Sequence, residues 1–231
     1  MAKERVARGS KAPASRGARS TLREAQKEFT RRTLVESARV AFERHGYVDV
    51  TVDDIVDGAG ASRATFYLYF NNKADVLMAV GEPIGDEYSI LMSRLSHVEA
   101  RTVEGLAQWL DWYVDFYEKH RLLLKAVAQA QVIDPVVVQQ ARKGVEASLE
   151  VWRQNGMLEY QDSDNIDEVR LRAVLFNAQV DRFMQLWILE GWEFERQSVI
   201  WELAQQWHAV LQPRGERSRS ATTTADNGPL T

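Results

Sequence analysis

Apolar positions recur at helical spacing along most of this chain. Leu34, Ala38, Ala41, Phe42 and His45 mark the inward face of a first helix, which starts near Leu22 or Gln26 and stops at Gly46. Val52, Ile55, Val56 and Ala59 form the apolar side of a short second helix. Leu77, Val80, Ile84, Tyr88, Leu91 and Leu95 then recur at steps of three and four residues, straight through Gly81 and Pro83. A proline inside a helix removes a hydrogen bond and bends it. One helix kinked between Gly81 and Gly85, or two nearly coaxial pieces, is the expectation.

Beyond Thr102 the apolar residues wrap round the helix. Leu106, Leu110, Tyr113, Val114 and Tyr117 lie on one side, and Trp109, Trp112 and Phe116 on the other. A helix apolar all round is buried. His120 and Arg121 read as a break before a short helix over 122–132. Asp134-Pro135 restarts the chain with an N-cap and a first-turn proline, leading Val138, Ala141, Val145, Leu149 and Trp152 to a stop at Gly156. A polar loop over 156–165 follows. Asn165 and Glu168 open a helix to Glu190 with two apolar faces. One holds Val169, Ala173, Phe176, Val180, Phe183 and Trp187; the other holds Leu171, Val174, Leu175, Leu186 and Ile188. A last helix runs from about Phe194 to Leu211, before Pro213. No segment carries a convincing strand alternation, so the expected fold is all-α with about nine helices.

Composition narrows the class. The chain has no cysteine, which removes disulfides and thiolate metal sites. No apolar run reaches the roughly 18 residues a membrane span needs, and no apolar leader region opens the sequence. The expectation is a cytoplasmic protein with no membrane partner. Charge is divided unevenly. Residues 1–32 carry ten Lys and Arg against three Glu, and residues 81–231 carry 15 Lys and Arg against 23 Asp and Glu. One end is built to meet phosphate and the other is not, although a basic arm also serves as a plain solvated tail. Residues 1–21 are expected to be a disordered basic arm, and 213–231 a disordered polar tail.

The stretch TVDDIVDGAGASRATFYLYFNNK, residues 51–73, organises the rest. Thr51 with Asp54 makes a capping-box start. Gly58 and Gly60 break the helix, Ser62 caps a second one, and Asn72 with Asp75 caps a third. This is the layout of a helix-turn-helix, whose second helix enters the DNA major groove; a plain helical hairpin shares the pattern. Residues 51–77, TVDDIVDGAGASRATFYLYFNNKADVL, resemble the DNA-binding domain of the TetR family of bacterial repressors. The resemblance covers about residues 30–80. It rests on the Gly-Ala-Gly-Ala-Ser turn and on Thr65, Phe66, Tyr67, Tyr69-Phe70 and Lys73. It implies a three-helix helix-turn-helix domain over 22–80 and a ligand-binding and dimerisation domain over 81–212.

The resemblance also implies roles. Thr51, Tyr67, Tyr69 and Lys73 are the expected phosphate anchors. Ser62, Arg63, Ala64 and Thr65 sit where base edges are reached: Arg63 suits a guanine, and Ala64 or the Thr65 methyl suits a thymine methyl. A double-stranded operator, a homodimer through the last two helices (about 166–211) and a small-molecule effector are the expected partners, with no cofactor and no metal. The aromatic residues Trp109, Trp112, Tyr113, Phe116, Trp152, Phe176 and Phe183, with Asn177, Gln179 and Gln129 as polar anchors, are the candidate lining of an effector pocket. A packed core is the competing reading for any one of them. The resulting expectation is a repressor released by a small apolar or aromatic ligand. A ligand-independent regulator or an activator is the alternative. Catalysis is not expected: the chain lacks GxSxG, Walker A and HExxH patterns, its four His are scattered, and Asp53 and Asp54 point to different sides of one helix.

Overall fold

The computed structural model describes residues 15–97, 102–154 and 166–211. The expected polar loop over 156–165, the tail beyond 213 and most of the basic arm lie outside them. All regular structure among the described residues is helical. Eight α-helices follow in order: α1 (Ser15–Asp49), α2 (Val52–Ala59), α3 (Arg63–Tyr67), α4 (Lys73–His97), α5 (Val103–Ile133), α6 (Pro135–Gln154), α7 (Ile166–Met184) and α8 (Arg196–Leu211).

The caps read from the sequence are present. The backbone N–H of Thr51 donates to the Asp54 carboxylate at 2.7 Å, and the Asp54 N–H donates back to the Thr51 hydroxyl at 3.2 Å. Ser62 accepts from the Thr65 N–H at 3.0 Å, and Asn72 accepts from the Asp75 N–H at 2.9 Å. Between α2 and α3, Gly60 takes the left-handed conformation (φ 61°) that a side chain would disfavour. Gly46 breaks α1 near its end with φ 78° and ψ 176°. A side chain there would also collide with Gln129, whose Oε1 lies 2.5 Å from the position of a Cβ.

Three expectations are corrected. The break at His120-Arg121 does not exist: α5 is one helix of 31 residues, since neither residue removes a backbone donor as a proline would. That fusion leaves eight helices where nine were expected. The helix after Asn165 does not stay α-helical to Glu190. Residues Gln185–Leu189 form a π-helical turn, closed by Glu190 N–H donating to the Gln185 carbonyl, and Gly191 (φ 81°) ends it. His45 is exposed rather than facing inward. Of the two readings of residues 73–97, the single helix is the one observed, with Pro83 inside it.

Two apolar cores form. The first gathers Leu34, Ala38, Phe42, Ile55, Phe66, Phe70 and Leu77 from α1 to α4, together with Leu123, Ala126, Ala130 and Val137 from α5 and α6. The second gathers Leu91, Leu95, Trp109, Leu110, Tyr113, Trp152, Phe176, Ile200 and Trp207. Arg196 pins α8 to α5 by reaching Asp111 at 2.7 Å, Asp115 at 2.6 Å and Glu118 at 3.1 Å.

Candidate nucleic-acid interface and adjoining cavity

The turn between α2 and α3 directs the start of α3 outward. Phe66 is wholly buried and anchors the short helix from below, with Tyr67 edge-on at 5.4 Å and Phe70 at 5.6 Å. With that ring fixed, Ser62, Arg63 and Ala64 are exposed and Thr65 is half-buried. Tyr67 keeps 51% of its surface exposed, Tyr69 is half-buried and Thr51 is exposed. Seven of the eight expected contact residues are therefore exposed or half-buried.

Two details were not legible in the sequence. Arg63 Nη1 donates to Asp53 at 3.0 Å across the turn, with both side chains more than half exposed. Exposed pairs of this kind contribute only about 0–1 kcal/mol, so Arg63 is readily released to another acceptor. Leu68 stands 78% exposed beside Tyr67, an apolar residue on an otherwise polar surface.

Lys73, the eighth residue, is held differently. Its ammonium donates to the backbone carbonyls of Tyr47 at 2.6 Å and Val50 at 2.8 Å, and it lies 4.2 Å from the centre of the Tyr47 ring. Burial lowers its pKa. The geometry gives it the work of tying the start of α4 to the segment after Gly46. Tyr47 extends this junction to α5. Its N–H donates to Gln129 Oε1 and its hydroxyl donates to Asp134 Oδ2, each at 2.7 Å. Burial, reinforced by the Asp134 carboxylate, pushes the Tyr47 phenol well above its ordinary pKa. Gln129, read from sequence as a pocket anchor, thus belongs to the junction between the two cores.

A cavity of about 1040 Å³ opens between α4, α5, α6 and α7. Of the residues expected to line it, only Phe116 and Asn177 do. Trp109, Tyr113, Trp152 and Phe176 are buried in the second core instead. Trp109 stacks on Tyr113 at 5.0 Å and donates its indole N–H to the Leu91 carbonyl at 2.8 Å. Trp112 packs under Arg94, Phe183 packs beside Phe194, and Gln179 bonds to Gln206 on the exposed side. Helical periodicity identified these residues as inward-facing, and inward here means core rather than cavity. The lining missed in the sequence includes Tyr88, Met92, Tyr117, Ser148 and Asp181. Asp181 stands within the apolar run of α7. In the fold it accepts a short hydrogen bond from the Tyr117 hydroxyl and another from Gln185 Nε2 at 2.8 Å. Arg31, Tyr69 and Phe70 line the other end, so the cavity reaches the helix-turn-helix unit.

Three helices packed on a common core, with a capped and exposed start to the third, define a helix-turn-helix domain. Residues 34–80 match the family model described as "Bacterial regulatory proteins, tetR family". Its sequence is 36% identical over 73 residues to the HTH-type transcriptional regulator TtgR of Pseudomonas putida, a match covering 32% of this chain and 34% of that one. It is 29% identical over 98 residues to the HTH-type transcriptional repressor SCO4008 of Streptomyces coelicolor, covering 42% of this chain and 47% of that one. The chain therefore matches between a third and a half of the length of these curated relatives. The fold extends further. A TetR-family regulator from Streptomyces coelicolor aligns with a TM-score of 0.59 at 21% identity, over 79% of this chain and 80% of that one. A regulator from Aquifex aeolicus aligns with a TM-score of 0.55 at 12% identity, over 78% and 99%. Among the described residues no single helix is long and apolar enough to cross a membrane.

Proposed function

We propose that this protein is a transcriptional repressor that binds a palindromic operator as a homodimer and is released by a small molecule in the cavity. One observation carries the reading: the start of α3 presents Ser62, Arg63, Ala64 and Thr65 outward from a core that holds Phe66 completely buried. In the major groove these side chains meet base edges, while Thr51, Tyr67 and Tyr69 flank them at phosphate positions. Lys73 is left out of the phosphate set because carbonyls already occupy its ammonium.

One such unit spans only a few base pairs, so a two-fold pair is the expected reader. Support for pairing through α7 and α8 comes from apolar side chains turned outward: Leu171 and Leu175 are 58% and 60% exposed one helical turn apart, and Trp201 on α8 is 48% exposed. Release by a ligand requires unequal affinity for two states. The cavity touches Arg31, Tyr69 and Phe70 at one end and α7 at the other, so an occupant there contacts both parts of the chain.

The test is operator binding by wild type and Arg63→Ala, measured against a panel of single-base operator variants. Arg63→Ala is expected to cost roughly 1–3 kcal/mol on the preferred operator and to flatten discrimination at one base pair per half-site. Equal weakening on every sequence would make Arg63 a phosphate contact. Sedimentation should give a dimer at micromolar concentration; a monomer there would remove the two-fold arrangement.

A further inference from the structure

The cavity contains one half-buried carboxylate set among aromatic rings. Asp181 projects from α7, and burial raises its pKa. Tyr117 and Gln185 each donate one hydrogen bond to it, which leaves acceptor capacity on both oxygens. Among the described residues no arginine or lysine forms an ion pair with it. Its neighbour in sequence, Arg182, turns outward to Glu190 at 2.8 Å and Gln185 at 3.2 Å. A charge drawn partly out of water favours an opposite charge beside it, because desolvation disfavours the ionised form. Arg182 acts on Asp181 only from a distance and offsets part of the desolvation, with no ion pair beside the carboxylate among the described residues.

The surroundings suit a cation from outside. Tyr88, Phe116 and Tyr117 line the same cavity, with Tyr88 and Phe116 centred 5.8 Å apart and Phe116 and Tyr117 6.1 Å apart. Aromatic faces attract a positive centre through their quadrupoles. Met92, Ile84, Val127 and Val145 supply apolar wall for a body attached to that centre. The remaining charged lining groups are Asp75, Glu82 and Asp86 against Arg31 and Arg142, so no cationic excess opposes entry.

We propose that the cavity takes a lipophilic monocation, an amine or quaternary ammonium with an apolar body, whose positive centre sits between Asp181 and the rings of Phe116 and Tyr117. This rests on the reading of the cavity as an effector site and names the chemical class of the effector. An aromatic cavity alone would accept neutral molecules equally well; the unpaired carboxylate is what selects charge.

Three probes that share one ten-carbon chain separate the possibilities: decyltrimethylammonium, 1-decanol and decanoate, each below its aggregation concentration. Calorimetry on the full chain should show decyltrimethylammonium binding at least tenfold more tightly than 1-decanol, with decanoate weakest. Asp181→Asn should remove the advantage of the cation and leave 1-decanol unchanged. The wild-type ranking needs no variant, so a misfolded Asp181→Asn does not blunt the test. Equal or reversed ranking, a preference surviving in a folded Asp181→Asn, or no binding by any probe overturns the proposal. Operator gel shifts with the same probes distinguish the underlying reading. Selective cation binding that leaves the operator complex intact would sink the effector role and keep the cation site. Operator release by 1-decanol or decanoate alone would do the reverse.

Discussion

The two apolar cores differ in the length of the helices that build them. The second core is a bundle of long helices whose packing is spread over many residues of α4, α5, α7 and α8. The first core is built around the short helices α2 and α3, which are too small to hold themselves together. It is completed by Leu123, Ala126 and Ala130 from the second half of α5 and by Val137 from α6. One continuous helix therefore serves both cores. Its first half packs Leu106, Trp109, Leu110 and Tyr113 into the bundle, and its second half packs under the helix-turn-helix unit. At about 1.5 Å per residue a helix of this length reaches roughly 45 Å. The linkage between the helix-turn-helix unit and the helical bundle thus runs through α5 as well as through α4.

The largest effect that would break this picture is a truncation of α5 inside the first core. Leu123→Ala lies about 50 residues past the helix-turn-helix, yet it should cost about 2–5 kcal/mol, the usual range for a buried leucine. Urea unfolding should show the loss, and operator affinity should fall with it where the unfolded fraction becomes appreciable. A variant with wild-type stability would mean that the N-terminal unit holds its own core, and that the two cores are joined by α4 alone.

A smaller effect isolates the polar junction from the packing. Tyr47→Phe keeps the ring stacked on Phe42 at 5.7 Å and keeps the backbone bond to Gln129, but it removes the hydroxyl that donates to Asp134. A hydrogen bond to a charged group contributes about 1.5–3 kcal/mol, so the loss should be of that size. The same bond sharpens the pH response. Burial and Asp134 raise the Tyr47 phenol pKa in the folded state, so folding favours the protonated phenol. That contribution is whole below the pKa of the unfolded tyrosine, near 10. It declines only as pH rises towards the higher folded value. Tyr47→Phe should therefore flatten the alkaline limb of a stability profile; an unchanged limb would mean that other tyrosines govern it.

Legibility in the sequence followed the range of the interaction. The caps at Thr51, Ser62 and Asn72 were readable because each closes within three residues. Helix existence was readable because apolar spacing repeats. The continuity of α5 was not legible at His120-Arg121, because polarity on one turn marks a helix end and a tertiary contact alike; His120 bonds Glu87 on α4 at 2.8 Å. The π-helical turn after Met184 left no composition signal. The cavity was least readable of all. Periodicity tells which side chains face inward but not which of them leave space between helices. The indole of Trp109 went to the core and the ring of Tyr88 to the cavity wall. The roles of Asp181, Tyr47 and Asp134 depend on partners 64 to 87 residues away, a separation that no local pattern encodes.

The smallest effect decides how the outer surface is prepared for DNA, where the fixed architecture of the cores gives way to exposed side chains. Asp53 holds Arg63 at 3.0 Å in the free protein, and both are more than half exposed. If Asp53 competes with DNA for the guanidinium, Asp53→Asn should tighten operator binding. The gain is limited to about 1 kcal/mol, roughly fivefold, because an exposed pair contributes no more than that. Removing a negative charge near the phosphates acts in the same direction, so the single variant does not separate the two causes. A double-mutant cycle does. The gain from Asp53→Asn should shrink when Arg63 is already alanine, by the coupling between the two side chains. An undiminished gain would assign the effect to general repulsion. Weaker binding by Asp53→Asn would show that the carboxylate positions Arg63 for the groove, a preorganising contact on a surface that otherwise relies on the buried ring of Phe66.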